Sequence, residues 1–161
     1  MKMTTSSYVE ELKSALTGKY VTIIGHDNID VDALLSSLLM SRLLTFLGIE
    51  NEFAILDKVK KDDTYEIAEE MFGIKMEKWE NVSEDYERTL FLLDHYETVH
   101  MGNVIGCVDH HPNQADKSYG FMYTRKACAA AYLVYEIMEE AGYRITAEEA
   151  KMIIVSMMVD T

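Results

Sequence analysis

The chain has 161 residues and a formal net charge of −13 at pH 7, with 28 acidic against 15 basic side chains. This length suits one domain with a hydrophobic core of its own. The acidic balance argues against duplex DNA as a partner, because a phosphate backbone is bound through Lys and Arg. A small phosphate ester stays compatible with this charge, since bound divalent cations would reverse the local field.

Features of export or membrane insertion are missing from the sequence. The N-terminal residues, MKMTTSSYVEELK, lack the apolar run of a signal peptide. The longest apolar stretch, residues 31–47, is shorter than the roughly 20 residues of a membrane span and contains Asp32 and Arg42. Cys107 and Cys128 have no metal-binding or CxxC spacing, and Cys107 lies in an apolar run, as a buried thiol would. We therefore expect a cytoplasmic protein without a membrane partner.

The first half of the chain predicts two strands and two helices. Residues 21–25 form an apolar run typical of a buried strand, and residues 31–47 predict a buried helix. A second strand is expected at 52–56, followed by a short acidic helix at 64–72. Strand and helix therefore alternate from the start.

The second half adds two strands and then two helices. Residues 90–93 and 104–108 are continuous apolar runs, which is typical of parallel strands that are covered on both faces. A helix is expected over 128–140, with Gly142 after its end. A final apolar stripe at helical spacing comprises Ala150, Ile153, Ile154, Met157 and Met158. This order predicts an α/β fold: an open, mostly parallel sheet with helices on both faces.

Histidines and aspartates follow the predicted strands. In such sheets ligands bind beyond the carboxyl ends of the strands, which all lie at one edge. Four of the five histidines of the chain follow these strand ends. The candidate site residues are His26, Asp30, Asp32, Asp94, His95, Asp109, His110, His111 and, at the end of the last predicted helix, Asp160.

Each of these residues also has a structural interpretation. Asp30 or Asp32 could cap the helix that follows, and a single histidine beside an apolar run is often only hydrogen-bonded there. Together they favour a metal site, because crowded carboxylates repel one another unless a cation lies among them. The N and O ligands favour two divalent ions, with Mn²⁺ ahead of Mg²⁺, Fe²⁺ or Co²⁺. A bridging carboxylate would hold the two ions roughly 3.5–4 Å apart.

Four segments resemble the signatures of the DHH phosphoesterases and occur in the order of that family: GHDNIDVDA, LLDH, VDHH and MMVDT. In detail they are most similar to the manganese-dependent family II inorganic pyrophosphatases, with Ile29 and Tyr96 departing from that pattern. Nanoribonuclease-like and exopolyphosphatase-like members share the signatures, so the subfamily stays open. The resemblance implies a Rossmann-like N-terminal DHH domain over residues 1–161. We expect a C-terminal substrate-binding domain to belong to a longer parent protein.

The resemblance also implies roles for single residues. Six of them would be metal ligands: His26, Asp30, Asp32, Asp94, His110 and Asp160. Asp94 would bridge the ions, with His26 and Asp30 on the first and the others on the second.

Further residues would act on the substrate. His111 would donate to the substrate phosphate, and Asp109 would orient a neighbouring histidine. His95 would lie near the metals and the substrate. Arg125, which precedes a predicted helix, is a candidate contact to phosphate.

The implied reaction is the attack of a hydroxide, activated by two metal ions, on a phosphoanhydride or phosphoester of pyrophosphate or polyphosphate type. Two alternatives stay open: a phosphodiesterase for short oligonucleotides or cyclic dinucleotides, and a non-catalytic, metal-binding regulatory module. A homodimer is also open. We expect the domain alone to be weakly active or inactive, because it offers no cluster of Lys or Arg near the signatures.

Overall fold

The computed structural model describes residues 7–26, 28–55, 60–76, 87–95, 103–111 and 119–160. Within these ranges the chain forms five helices and five strands. In chain order they are α1 (Tyr8–Leu16), β1 (Val21–Ile24), α2 (Val31–Phe46), β2 (Asn51–Ala54), α3 (Asp63–Phe72), β3 (Thr89–Leu93), β4 (Asn103–Asp109), β5 (Phe121–Thr124), α4 (Ala130–Glu140) and α5 (Ala147–Asp160).

The five strands form one sheet in the order β2-β1-β3-β4-β5, and every pairing is parallel. This confirms the predicted α/β fold with an open parallel sheet. The chain adds β2 on one side of β1 and the later strands on the other, so the strand order reverses between β1 and β3. In open α/β sheets this reversal creates a crevice at the carboxyl ends of the two strands.

Both faces of the sheet are buried. One face contributes Ile23, Phe91 and Phe121 to a large core cluster that also contains residues of α1, α2, α4 and α5, with partly buried residues of α3 packed against it. The other face contributes Ile24, Leu92 and other strand residues to a second cluster, which contains no helix residue among those described. All five described helices therefore contribute to the first cluster or pack against it.

Helix α2 lies in the middle of the helical layer, against α4 and α5. Twelve of its sixteen residues are buried, which is why its sequence is apolar on all sides. Asp32, in its first turn, is fully buried among them. A buried carboxylate of this kind requires polar or charged partners, and these belong to the site described below.

Two elements were not predicted from the sequence. Helix α1 has nine residues and buries only Leu12 and Leu16, so its apolar pattern is weak, although Ser7 caps it by accepting from the Glu10 amide at 3.1 Å. Strand β5 is only four residues long and lies at the sheet edge. No helix in the described part of the chain is long and apolar enough to cross a membrane.

Candidate metal centre

The loop after β1 brings a histidine and an aspartate together. His26 Nε2 lies 3.3 Å from Asp30 Oδ2 and 3.4 Å from Asp94 Oδ2. Asp30 is also the N-cap of α2, where its Oδ1 accepts a hydrogen bond from the Ala33 amide at 2.9 Å. The capping and ligand interpretations of Asp30 therefore hold together, because each uses a different oxygen.

Asp94 follows β3 in the left-handed region, with a φ of 67°. This conformation is uncommon for a residue with a side chain, although Asp adopts it more readily than most. The Asp94 amide donates to the Val108 carbonyl at 2.9 Å, which ties this turn to β4. Its buried carboxylate faces two histidines, with Oδ2 near His26 and Oδ1 3.0 Å from His110 Nε2. Asp94 thus lies where a bridging ligand would be needed.

A second group of candidate ligands surrounds His110, which follows β4. Its Nε2 lies 3.0 Å from Asp160 Oδ2 and 3.5 Å from Asp32 Oδ2. Its Nδ1 lies 3.0 Å from the Ala127 carbonyl oxygen. A carbonyl oxygen only accepts, so Nδ1 carries the hydrogen and Nε2 is left to act as a ligand.

Two buried atoms of this centre test whether it suits a cation. Asp94 Oδ1 and His110 Nε2 have no hydrogen-bond partner among the described residues, although they face each other at 3.0 Å. Buried polar atoms are normally satisfied, and a cation that displaced the His110 proton would satisfy both atoms. Three sets of residues could each hold an ion, because within each set the ligand atoms lie within 4.8 Å of one another. The sets are His26–Asp30–Asp94, Asp32–His110–Asp160 and Asp94–His110–His111. The residues therefore fit a divalent-cation centre in which Asp94 is shared.

The pKa values of the centre show how its charges are balanced without a cation. Burial, with the charge of Asp94 next, raises the pKa of Asp32 to about 8. Burial also acts to raise the pKa of Asp94, but His110 and His26 outweigh it and hold that pKa at about 2. Contact with Asp94 raises the pKa of His110 to about 9. Protons on Asp32 and His110 thus compensate the carboxylates, and a bound cation would displace them.

His111 and Asp109 lie at the rim of the centre. Asp109 is fully buried, and its Oδ1 lies 2.6 Å from His111 Nδ1. The His111 side chain is 52% exposed, and its Nδ1 is 3.8 Å from Asp94 Oδ1. The carboxylate of Asp109 therefore fixes one edge of an imidazole that is open to solvent.

The remaining two candidates lie outside the three ligand sets. The ring of His95 stands edge-on to the ring of His26, with 6.3 Å between the centroids. The guanidinium of Arg125 forms an ion pair with Glu136 of α4 and donates to the Tyr123 hydroxyl at 3.4 Å. A contact between Arg125 and substrate stays a prediction. It would require the guanidinium to bind the substrate beside Glu136 or to break its ion pair with Glu136.

Lys60 is a cation near the centre that the sequence did not point to. Its Nζ donates to Asn28 Oδ1 at 2.6 Å, and Asn28 lies between His26 and Asp30 in the chain. Lys60 is exposed and forms no ion pair with a carboxylate of the described residues. Lys60 follows β2, which pairs in parallel with β1. Its contact with Asn28 could therefore have been predicted only from the strand order.

These features define a parallel α/β domain with carboxylate and imidazole groups that could hold divalent cations at its carboxyl edge. The model of the DHH family, N-terminal domain, matches residues 20–159, and the chain therefore belongs to that family. The predicted resemblance is confirmed at this level. None of the curated proteins matches the chain.

Solved structures share the fold. An exopolyphosphatase-related protein from Bacteroides fragilis is similar over 96% of this chain and 50% of its own, with 17% identity and a TM-score of 0.71. The exonuclease RecJ, solved with manganese bound, is similar over 96% of this chain and 42% of its own, with 20% identity and a TM-score of 0.56. CDC45 from Entamoeba histolytica is similar over 92% and 32%, with 11% identity and a TM-score of 0.56. The chain thus spans half or less of each of these proteins.

Proposed function

We propose that the chain is the metal-binding domain of a phosphohydrolase that uses water to cleave a phosphoanhydride or phosphoester. The observation that carries this proposal is the shared position of Asp94 between two sets of ligands. Two divalent ions, with Mn²⁺ preferred, would be held by His26, Asp30, Asp32, Asp94, His110 and Asp160. Manganese is supported by the mixed imidazole and carboxylate ligands and by its presence in the structure of RecJ.

When bound, such ions lower the pKa of water and stabilise charge on phosphoryl oxygens. The residues of the chain would orient the substrate against them. In its protonated form, His111 would donate from Nε2 to a phosphoryl oxygen, while its Nδ1 stays on Asp109. Lys60 would supply a second positive contact from the loop after β2.

The charges around the centre favour a small substrate of pyrophosphate or polyphosphate type. The chain is strongly acidic, and the described cations beside the centre are few, with Arg125 already paired to Glu136. Most of the substrate charge would thus be met by the ions, as in a short phosphate chain, whereas a long nucleic acid needs an extended basic surface. The exopolyphosphatase-related neighbour supports this class by its fold. We place the reaction in the cytoplasm, where the two free cysteines would stay reduced.

We further propose that full activity needs a C-terminal substrate-binding domain, in a monomer or a homodimer. The metal ligands form one wall of a cleft, and phosphate hydrolysis also requires a clamp on the substrate and exclusion of water. The domain alone is expected to be about 100-fold slower than a protein that carries both parts, because misplaced positioning groups cost this much.

A substrate panel tests the proposed function. Hydrolysis of pyrophosphate and polyphosphate would be measured with Mn²⁺ by release of phosphate, and that of a dinucleotide and a cyclic dinucleotide by chromatography of the nucleotide products, for this domain and for the two-domain protein. We expect manganese-dependent hydrolysis of the first two substrates that the Asp94→Asn variant loses. Faster cleavage of the dinucleotides would favour the phosphodiesterase alternative. Two bound ions without hydrolysis of any substrate would favour a non-catalytic metal-binding module.

A further inference from the structure

The segment that leads into α4 contacts two of the proposed metal ligands through its backbone. The Ala127 carbonyl lies 3.0 Å from Nδ1 of His110. The amides of Ala130 and Ala131 donate to the two carboxylate oxygens of Asp32, at 2.8 Å to Oδ2 and 3.0 Å to Oδ1. We call residues 127–131 the backbone clamp. It brings together a histidine that follows β4 and an aspartate from α2.

These contacts leave the ligand atoms available. Each oxygen of a carboxylate can accept two hydrogen bonds, so Asp32 keeps a free lone pair on both oxygens after it accepts from the clamp. The partner on Nδ1 directs the lone pair of His110 Nε2 towards the centre. The contact also stabilises the start of α4. The N-cap residue, Ala129, has no side chain that can accept a hydrogen bond, and Asp32 accepts from the first two amides of the helix instead.

We propose that the backbone clamp positions Asp32 and His110 for the second metal ion before that ion binds. This inference rests on the proposed function, and it assigns a positioning role to residues whose side chains carry no ligand. The three contacts come from the backbone of Ala127, Ala130 and Ala131, so no polar side chain is needed at these positions. The clamp acts on the second site alone, since Asp30 of the first site is held by α2 through the Ala33 amide.

Proline substitution tests the role of one clamp amide. Ala130 is the first residue of α4, where proline is tolerated because this amide has no partner within the helix. Ala130→Pro removes the donor to Asp32 Oδ2 and places a ring carbon against that oxygen. Ala147→Pro is the matched control, since Ala147 is the first residue of α5 and its amide donates to no described residue.

Calorimetric titration with Mn²⁺ and electron paramagnetic resonance of the bound ions would follow both sites. We expect Ala130→Pro to weaken one of the two sites by about 10–100-fold, the range for loss of a ligand's supporting contact, and to abolish the spin-coupled signal of the ion pair. Ala147→Pro should keep both. Equal weakening of the two sites by Ala130→Pro, or no weakening, would overturn the proposal. A wild-type protein that binds no ion pair would overturn the proposed function itself, and the clamp's role with it.

Amide hydrogen exchange in the metal-free wild-type protein gives a second test that does not depend on folding of the variant. If the clamp forms before metal arrives, the amides of Ala130 and Ala131 are protected in the presence of a chelator and change little when Mg²⁺ is added. Protection that appears only with the metal would show that the ion organises the segment. The preformed clamp would then be wrong.

Discussion

Asp94 adopts a positive φ of 67° at the end of β3, where its oxygens lie against histidines from two other loops. Glycine would adopt this backbone conformation without strain, but it has no ligand to offer. A strained residue at the centre of a candidate site is consistent with a functional role, because such strain persists only where surrounding contacts hold it. Here the Asp94 amide is held by the Val108 carbonyl.

Replacement of Asp94 tests its bridging position. Asp94→Asn removes one negative charge between the two sets of ligands, so both Mn²⁺ sites should weaken together, whereas Asp30→Asn should chiefly weaken the first. Binding would be measured by isothermal titration calorimetry. Without metal, Asp94→Asn removes both a repulsion from Asp32 and an attraction to His26 and His110. Thermal melting of each variant in chelator would show whether it still folds. Two sites of unchanged affinity in Asp94→Asn would contradict the bridge.

Lys60 offers a second test at this scale. Lys60→Gln should raise the KM for pyrophosphate by about 2–5-fold with little change in kcat, as expected from loss of an exposed ionic contact of about 0.5–1 kcal/mol. The effect should shrink at high salt. Lys60→Arg should keep most of the affinity, and Lys61→Gln is the control for the loss of a neighbouring exposed charge. Equal effects of the substitutions at 60 and 61 would exclude a specific contact.

Helix α5 carries Asp160 to the centre, and its start is fixed by a buried glutamate. Glu149 Oε1 accepts from the Thr146 amide at 2.8 Å, and the Glu149 amide donates to Thr146 Oγ1 at 3.1 Å, which is a capping box. Glu149 Oε2 also accepts from the Tyr143 hydroxyl at 2.6 Å and from Arg42 of α2 at 3.1 Å. The position of Asp160 thus depends on an anchor three turns away.

We expect Glu149→Ala to lower the free energy of unfolding by about 1–3 kcal/mol, because it removes a cap and leaves the partly buried Tyr143 hydroxyl and Arg42 guanidinium without this acceptor. Glu148→Ala is the matched control, since Glu148 pairs with the same Arg42 at 3.2 Å but is exposed, and it should cost about 0–1 kcal/mol. Urea denaturation in chelator would measure both. Similar losses for the two variants would show that the capping box does not anchor α5.

Among the elements, those with long apolar runs could be predicted from the sequence, and so could the edge strand β2, whereas α1 and β5 could not. The runs in β1, β3, β4 and α2 reflect burial on all sides, which leaves a clear pattern. Strand β5 pairs on one side only, with β4, and has four residues, too few for a reliable period. The predicted start of α4 at 128 was two residues early, because Ala129 is extended, with φ −165° and ψ 154°.

For the whole molecule, the rule that parallel strands end at one edge was enough to bring distant histidines and aspartates together. The six predicted ligands do fall into adjoining sets. The rule gives neither the contact of Asp32 with α4 nor that of Lys60 with Asn28, because these link residues 98 and 32 positions apart through tertiary packing. Sequence therefore indicates the candidate ligands, and only the fold shows which backbone groups contact them.

We propose that two cations share Asp94 at the carboxyl edge of the sheet. Crystals soaked in Mn²⁺, measured at the manganese absorption edge, test it most directly. We predict two anomalous peaks about 3.5–4 Å apart, one beside His26 and Asp30 and the other beside Asp32, His110 and Asp160, with Asp94 between them. A single peak, or peaks that do not contact Asp94, would contradict the two-metal centre.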